Sequence, residues 1–367
     1  MTMTFRTTIS SLATTLAATL AMNMSLNLAA AASELVGTRD ITVFSVERQM
    51  DLPVTIWYPA SHGPEASIVG ENRVFEGTPA SVGAEPETGR HPLILLSHGS
   101  GSTVQAMGWL AAHLAKAGFI VAGPNHPRTT SGDSTPADTP LLWQRVDDLS
   151  SIITALSASQ DWGGIVDNER IGVLGFSLGG AAAMKISGAR AGLEAYAGYC
   201  DTWPDMPDCR WFAGGIAYAD WEMIEVEPLD LRTIDKGLFE RQNRDPRIKS
   251  AVLVDPSVAQ AFDAESLRQI DIPMAFINLG APQSIIAGVD SSELAGLTPH
   301  GSLSHIDQAI HFSFLAECRQ DAKAFLKQIG EVDPICDDGG NRSRADIHTE
   351  LKQMIATLFT STLMNTQ

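Results

Sequence analysis

Short, almost wholly apolar runs at 93–96, 119–122, 170–176, 248–254 and 274–279 punctuate the chain. Runs of that length without alternation are typical of parallel strands buried on both faces. Between them, 104–117 and 141–159 carry apolar residues at helical spacing, and 178–187 reads as a helix of small residues able to lie tight against a sheet. Helices are also predicted over 311–329 and 345–363; in the second, Ile347, Leu351, Met354, Ile355, Leu358 and Phe359 share one face. Strands alternating with helices predict an α/β fold with a mostly parallel sheet covered on both sides. Sites in such sheets lie beyond the carboxyl ends of the strands.

Three segments depart from that rhythm. Residues 41–46 and 54–58 are rich in β-branched and aromatic types and suit an antiparallel start to the sheet, with Pro59 ending the second strand. Residues 60–91 hold many Gly, Pro, Glu and Ser without periodicity and are expected as a long surface loop. Residues 190–247 contain Trp203, Trp211, Trp221, several prolines and two cysteines, and are expected as an inserted cap.

The N-terminus reads as something other than fold. Arg6 is the only charge before Glu34, 9–28 is modestly apolar, and Ala30-Ala31-Ala32 forms a small-residue cleavage pattern. These are the marks of a secretory signal peptide over 1–32, leaving 33–367 as a single domain. No later run is apolar enough to span a bilayer, so a periplasmic or extracellular location is expected. In an oxidising compartment the even set Cys200, Cys209, Cys318 and Cys336 favours two local disulfides, although the sequence alone allows three pairings. No metal-ligand spacing accompanies them, and no cofactor is expected. The net charge of −18 repels phosphate backbones and argues against nucleic acid as a partner.

Candidate chemistry lies at the strand ends. Gly175-Phe176-Ser177-Leu178-Gly179 matches G-x-S-x-G between a predicted strand and helix, the context of a nucleophile elbow. A serine hydroxyl needs a base, and the base needs an acid to orient it. His311, at the start of a helix after the last plausible strand, is the expected base, with His305 as the alternative. Asp255 ends the apolar run 248–254, where an unpaired charge would be costly, and is the expected acid; Asp290 is the alternative. Backbone amides of Leu178 and of the loop 97–101, at Ser100, would stabilise an oxyanion. His98 is read as supporting that loop, and His98 and His126 are the candidate substrate-binding residues.

Together with Val54-Thr55-Ile56-Trp57-Tyr58-Pro59, Ser97-His98-Gly99, Gly123-Pro124-Asn125-His126-Pro127 and His311-Phe312-Ser313-Phe314-Leu315 with Cys318, these residues resemble the bacterial dienelactone-hydrolase-like serine hydrolases related to platelet-activating-factor acetylhydrolases. The resemblance covers most of 33–367 and implies the α/β-hydrolase fold with an inserted cap. In the acetylhydrolases the acid follows the strand after the nucleophile's, which favours Asp255. True dienelactone hydrolases use cysteine, so Ser177 points to ordinary esters. The expected partner is a small-molecule ester, short-chain, phospholipid-like or aromatic. A non-catalytic binder on the same fold and an amidase or peptidase on the same residues are the competing readings.

Overall fold

The apolar runs become the middle of an 11-stranded sheet in the computed structural model, which describes residues 34–364. The leader expected at 1–32 lies outside those residues. Parallel pairings join Ile120–Pro124, His91–Ser97, Val166–Phe176, Ile248–Val254, Met274–Leu279 and Gly301–Ile306, in that order. The hairpin Leu35–Ser45 and Met50–His62 extends the sheet antiparallel beyond Ile120–Pro124.

Alternation along each strand feeds two cores. Leu93 and Leu95 pack with the helices Leu142–Ala158 and Leu178–Ser187 on one face of the sheet. Ile94 and Leu96 pack with Gly108–Lys116 and Arg344–Phe359 on the other. All four side chains are fully buried, so truncating any one to alanine costs about 2–5 kcal/mol.

The order of the strands locates the site. From His91–Ser97 the chain moves outward to Ile120–Pro124, then returns to the opposite side for Val166–Phe176 and continues that way. The neighbouring strands His91–Ser97 and Val166–Phe176 thus send their connections in opposite directions. Such a switch point opens a crevice at the carboxyl ends of the two strands, where the turns 97–101 and 176–178 meet.

Two expectations are corrected. Residues 60–91 are not a plain loop: Ser67–Val69 pairs with Thr78–Val82, which pairs in parallel with Leu35–Ser45. Their mixed composition hides strands too short to show periodicity. The helix expected over 311–329 is instead the 3₁₀ turn His311–Phe314 and a separate helix Ala322–Gln328. Between them Cys318 is extended, bridging antiparallel to Phe75 and bonded to Cys336, and neither the bridge nor its geometry fits a continuing helix.

Residues 190–247 hold the helices Leu193–Thr202, Pro207–Phe212 and Lys236–Glu240 and the hairpin Gly215–Ala219 and Glu222–Val226. Tyr196, Tyr199, Phe212, Leu231 and Phe239 form a third apolar cluster with Leu142, Trp143, Leu178 and Val258 of the main body. The buried Lys185 donates to the Phe239 carbonyl at 2.6 Å and ties this segment to the helix Leu178–Ser187. Trp211 donates from Nε1 to Thr139 Oγ1, while Trp221 at the hairpin tip is 77% exposed. Among the described residues no helix is long and apolar enough to cross a membrane.

Candidate active site

Ser177 stands at the head of the helix Leu178–Ser187 with φ 54° and ψ −120°, a conformation that L side chains rarely adopt. Its neighbours force it there. A Cβ on Gly175 would lie 2.1 Å from the Gly179 carbonyl oxygen, and one on Gly179 would lie 1.9 Å from the Ser97 oxygen. Both contacts are impossible, so the two glycines permit the tight strand-to-helix turn that lifts the serine hydroxyl clear. Leu178 N–H belongs to the first turn of the helix, whose amides have no intrahelical acceptor. Gly99 brings the turn 97–101 alongside: a Cβ there would be 3.3 Å from Ser177 Cβ.

His311 lies across from the serine, its Nε2 3.1 Å from Ser177 Oγ and its Nδ1 3.0 Å from Asp255 Oδ2. The Asp255 carboxylate is acceptor-only, so Nδ1 carries the proton and Nε2 presents its lone pair to the hydroxyl. Asp255 is 1% exposed. Its Oδ1 accepts from Asn278 Nδ2 and from the Leu279 amide, both at 2.9 Å, which leaves Oδ2 for the histidine. Asn278 is held in turn by Val289 and Ser291. Asp255 also has positive φ, at 41°. Phe176 packs its ring 4.7 Å from the imidazole, whose side chain stays 25% exposed.

The structure therefore brings Ser177, His311 and Asp255 together. Asp290 instead accepts from the Ser292 amide at the head of the helix Ser292–Leu297. His305 lies inside the strand Gly301–Ile306. The placement of His98 and His126 against substrate is corrected: both are fully buried behind the turn 97–101, and all their ring nitrogens are engaged.

Other residues at the site carried no local motif. Asn278 sits in a fully apolar strand, where a buried amide is out of place unless it serves a partner. Arg145 and Asp148 fall on the buried stripe of Leu142–Ala158, and charges at those positions were the available signal. Two carboxylates also feel His311 electrostatically. Burial raises the Asp208 carboxyl, against the pull of Tyr199 and His311. Burial and Glu331 raise Asp333, against Arg210 and His311.

Each of those carboxylates rides on a disulfide-closed loop. Cys200–Cys209 pins Leu193–Thr202 to Pro207–Phe212, beside Asp208. Cys318–Cys336 closes the segment holding Asp333, and the Arg344 guanidinium anchors its end through the Ile335 and Asp337 carbonyls.

No protein-family model and no curated protein sequence matches the chain. Among solved structures it is similar to a ferulic acid esterase from Streptomyces cinnamoneus, with a TM-score of 0.60 and 19% identity over 90% of this chain and 91% of that one. A dienelactone hydrolase from Anabaena variabilis aligns with a TM-score of 0.45 and 15% identity over 88% of this chain and 97% of that one. A puromycin-hydrolyzing peptidase from Mycobacterium tuberculosis aligns with a TM-score of 0.47 and 10% identity over 88% and 39%. Sheet order, the turn at Ser177 and the likeness to the esterase agree: the chain has the α/β-hydrolase fold.

Proposed function

We propose that the protein is a secreted serine hydrolase that cleaves carboxylic esters through an acyl-enzyme. The observation that carries this reading is the unbroken line from Ser177 Oγ through both nitrogens of His311 to Asp255. Ser177 Oγ attacks the ester carbonyl carbon while His311 Nε2 takes its proton, and the carbonyl oxygen becomes an oxyanion facing the amides of Leu178 and Ser100. Asp255 orients the ring and stabilises the imidazolium. The proton passes to the leaving alkoxide, and the alcohol departs. Water, deprotonated by His311, then attacks the acyl group, and collapse releases the acid and restores Ser177.

The apolar cluster of 190–247 packs on Leu178, next to the nucleophile, and that segment serves as the cap that favours acyl or aromatic groups. The ferulic acid esterase likeness is compatible with an aromatic ester. A leader over 1–32 and export before oxidation of the four cysteines fit the same picture.

A fluorophosphonate probe tests the reading. Wild type is expected to take one label at Ser177 and to hydrolyse p-nitrophenyl esters faster than the matching anilides. Ser177→Ala is expected to lose the label and activity by a factor on the order of 10⁵–10⁶. An unlabelled wild type would mean a binder on this fold, and preference for anilides would mean an amidase.

A further inference from the structure

Behind the turn 97–101 lies a buried polar cluster that the steps above do not use. Ser97, His98, His126, Arg145 and Asp148 are each at most 1% exposed, and no polar side-chain atom of theirs lacks a partner. Burying so many polar groups is costly unless every one is satisfied, so this arrangement calls for a reason.

The hydrogen-bond directions follow by elimination. The Gly99 carbonyl can only accept, so His98 Nδ1, 2.7 Å away, carries the proton. His98 Nε2 then accepts from the His126 amide at 3.0 Å. His126 Nδ1 donates to Asp148 Oδ2 at 2.8 Å, and its Nε2 accepts from Ser97 Oγ at 2.9 Å. Arg145 donates to the His98 carbonyl at 2.7 Å and reaches Thr129 through Nε at 3.2 Å. Thr129 also receives the Gly101 amide at 3.0 Å. Arg48, from the turn of the first hairpin, donates to both Asp148 oxygens.

The two carbonyls bound in this way, of His98 and Gly99, belong to consecutive peptides. A trans peptide is planar with its N–H opposed to its C=O. Holding the Gly99 carbonyl against the His98 ring therefore turns the Ser100 N–H the other way. The strand ladder does not fix this peptide, since its last pairing is Ser97 with Gly175; besides the His98 ring, its carbonyl receives the Ser102 amide of the same turn at 3.3 Å.

We propose that Arg145, joined to the Asp148–His126 pair through the Ser97 hydroxyl that both touch, is a positioning unit for the oxyanion turn, holding the peptides from His98 to Ser100 so that the Ser100 amide faces the acyl oxygen. This rests on the serine-hydrolase reading. An amide that points at the oxyanion acts in the transition state and not on bound substrate, so its loosening lowers kcat and leaves KM.

The test compares wild type with Arg145→Met, Arg145→Lys and His126→Asn, using a p-nitrophenyl ester and a boronic acid that mimics the tetrahedral adduct. Rates are normalised to Ser177 sites labelled to completion by fluorophosphonate, which removes unfolded protein from the comparison. Arg145→Met and His126→Asn are expected to lower kcat by about 10 to 100-fold, less than deletion of a whole donor, and to weaken the boronate by the same factor with KM little changed. Arg145→Lys, still able to reach the His98 carbonyl, is expected to recover part of both. Should these variants fold too poorly to label, Thr129→Val and Ser97→Ala each remove one link and are expected to lower kcat in the same sense. Wild-type kcat and boronate affinity per labelled site would overturn the proposal. Failure of wild type to label would instead overturn the hydrolase reading.

Discussion

Ser177 keeps its hydroxyl free of the strand-to-helix turn, half-buried and facing His311, because its backbone is strained, and the strain is enforced by atoms that a single methyl would strike. Gly179→Ala is therefore expected to be inactive and to express poorly, since a Cβ has no space beside the Ser97 oxygen; a wild-type melting temperature and rate would contradict this. At Asp255 the prediction concerns protons. Asp255→Asn offers His311 an amide in place of an acceptor, and kcat is expected to fall by on the order of 10⁴, while Asp290→Asn, away from the ring, keeps wild-type kcat. Loss of activity in the second variant alone would reassign the acid. The G-x-S-x-G turn and a carboxylate ending an apolar strand were legible because each breaks a local pattern in a way that only chemistry justifies. Asn278, Arg145 and Asp148 break patterns too, but partners such as Arg48 for Asp148 and Asp255 for Asn278 lie about 100 positions or a whole strand away, and no spacing rule connects them. His98 and His126 were misread for a related reason. A histidine near a site in sequence can face the substrate or the core, and only the packing of Ser97, Arg145 and Asp148 decides it.

At the scale of elements, the central strands and the helices beside them matched their sequence patterns because burial on both faces leaves an unmistakable apolar run. The short edge strands within 60–91 and the break after His311–Phe314 did not, since both depend on contacts across the chain, such as the bridge between Phe75 and Cys318. That bridge and the Cys318–Cys336 bond place the Asp333 loop near His311. Cys318→Ser with Cys336→Ser is expected to cost about 3 kcal/mol in the chain-entropy account, read as a lower denaturant midpoint. Because Asp333 on that loop lies within electrostatic reach of His311, KM is expected to rise more than kcat falls. An unchanged KM would separate the loop from the substrate path.

For the whole molecule, the buried histidines set how the fold answers acid. Burial first, and cationic neighbours second, keep His98, His126 and His348 well below the usual histidine range, His348 at about 3. Unfolded, they titrate near about 6.5. Between that value and each folded one the unfolded chain binds more protons, so stability rises with pH and is lost as pH falls. Each histidine contributes up to about 1.4 kcal/mol per pH unit in that window. Asp148 opposes them, its carboxyl raised by burial and readier to take a proton in the fold. The melting temperature is expected to fall steadily from about pH 6.5 to about pH 4.5; a flat profile would show that these rings are charged in the native state.

The backbone at Ser177 also limits what this chain could become. A φ of 54° tolerates an unbranched side chain but crowds one that forks at Cβ. Among the alternative nucleophiles, cysteine is open to it by exchanging oxygen for sulfur on the same carbon, whereas threonine, as close a relative of serine by chemistry, is disfavoured by its extra methyl. Exchange of Ser177 for cysteine thus leaves the shape of the turn as it is, whereas exchange for threonine adds strain to a turn that its two glycines already hold tight.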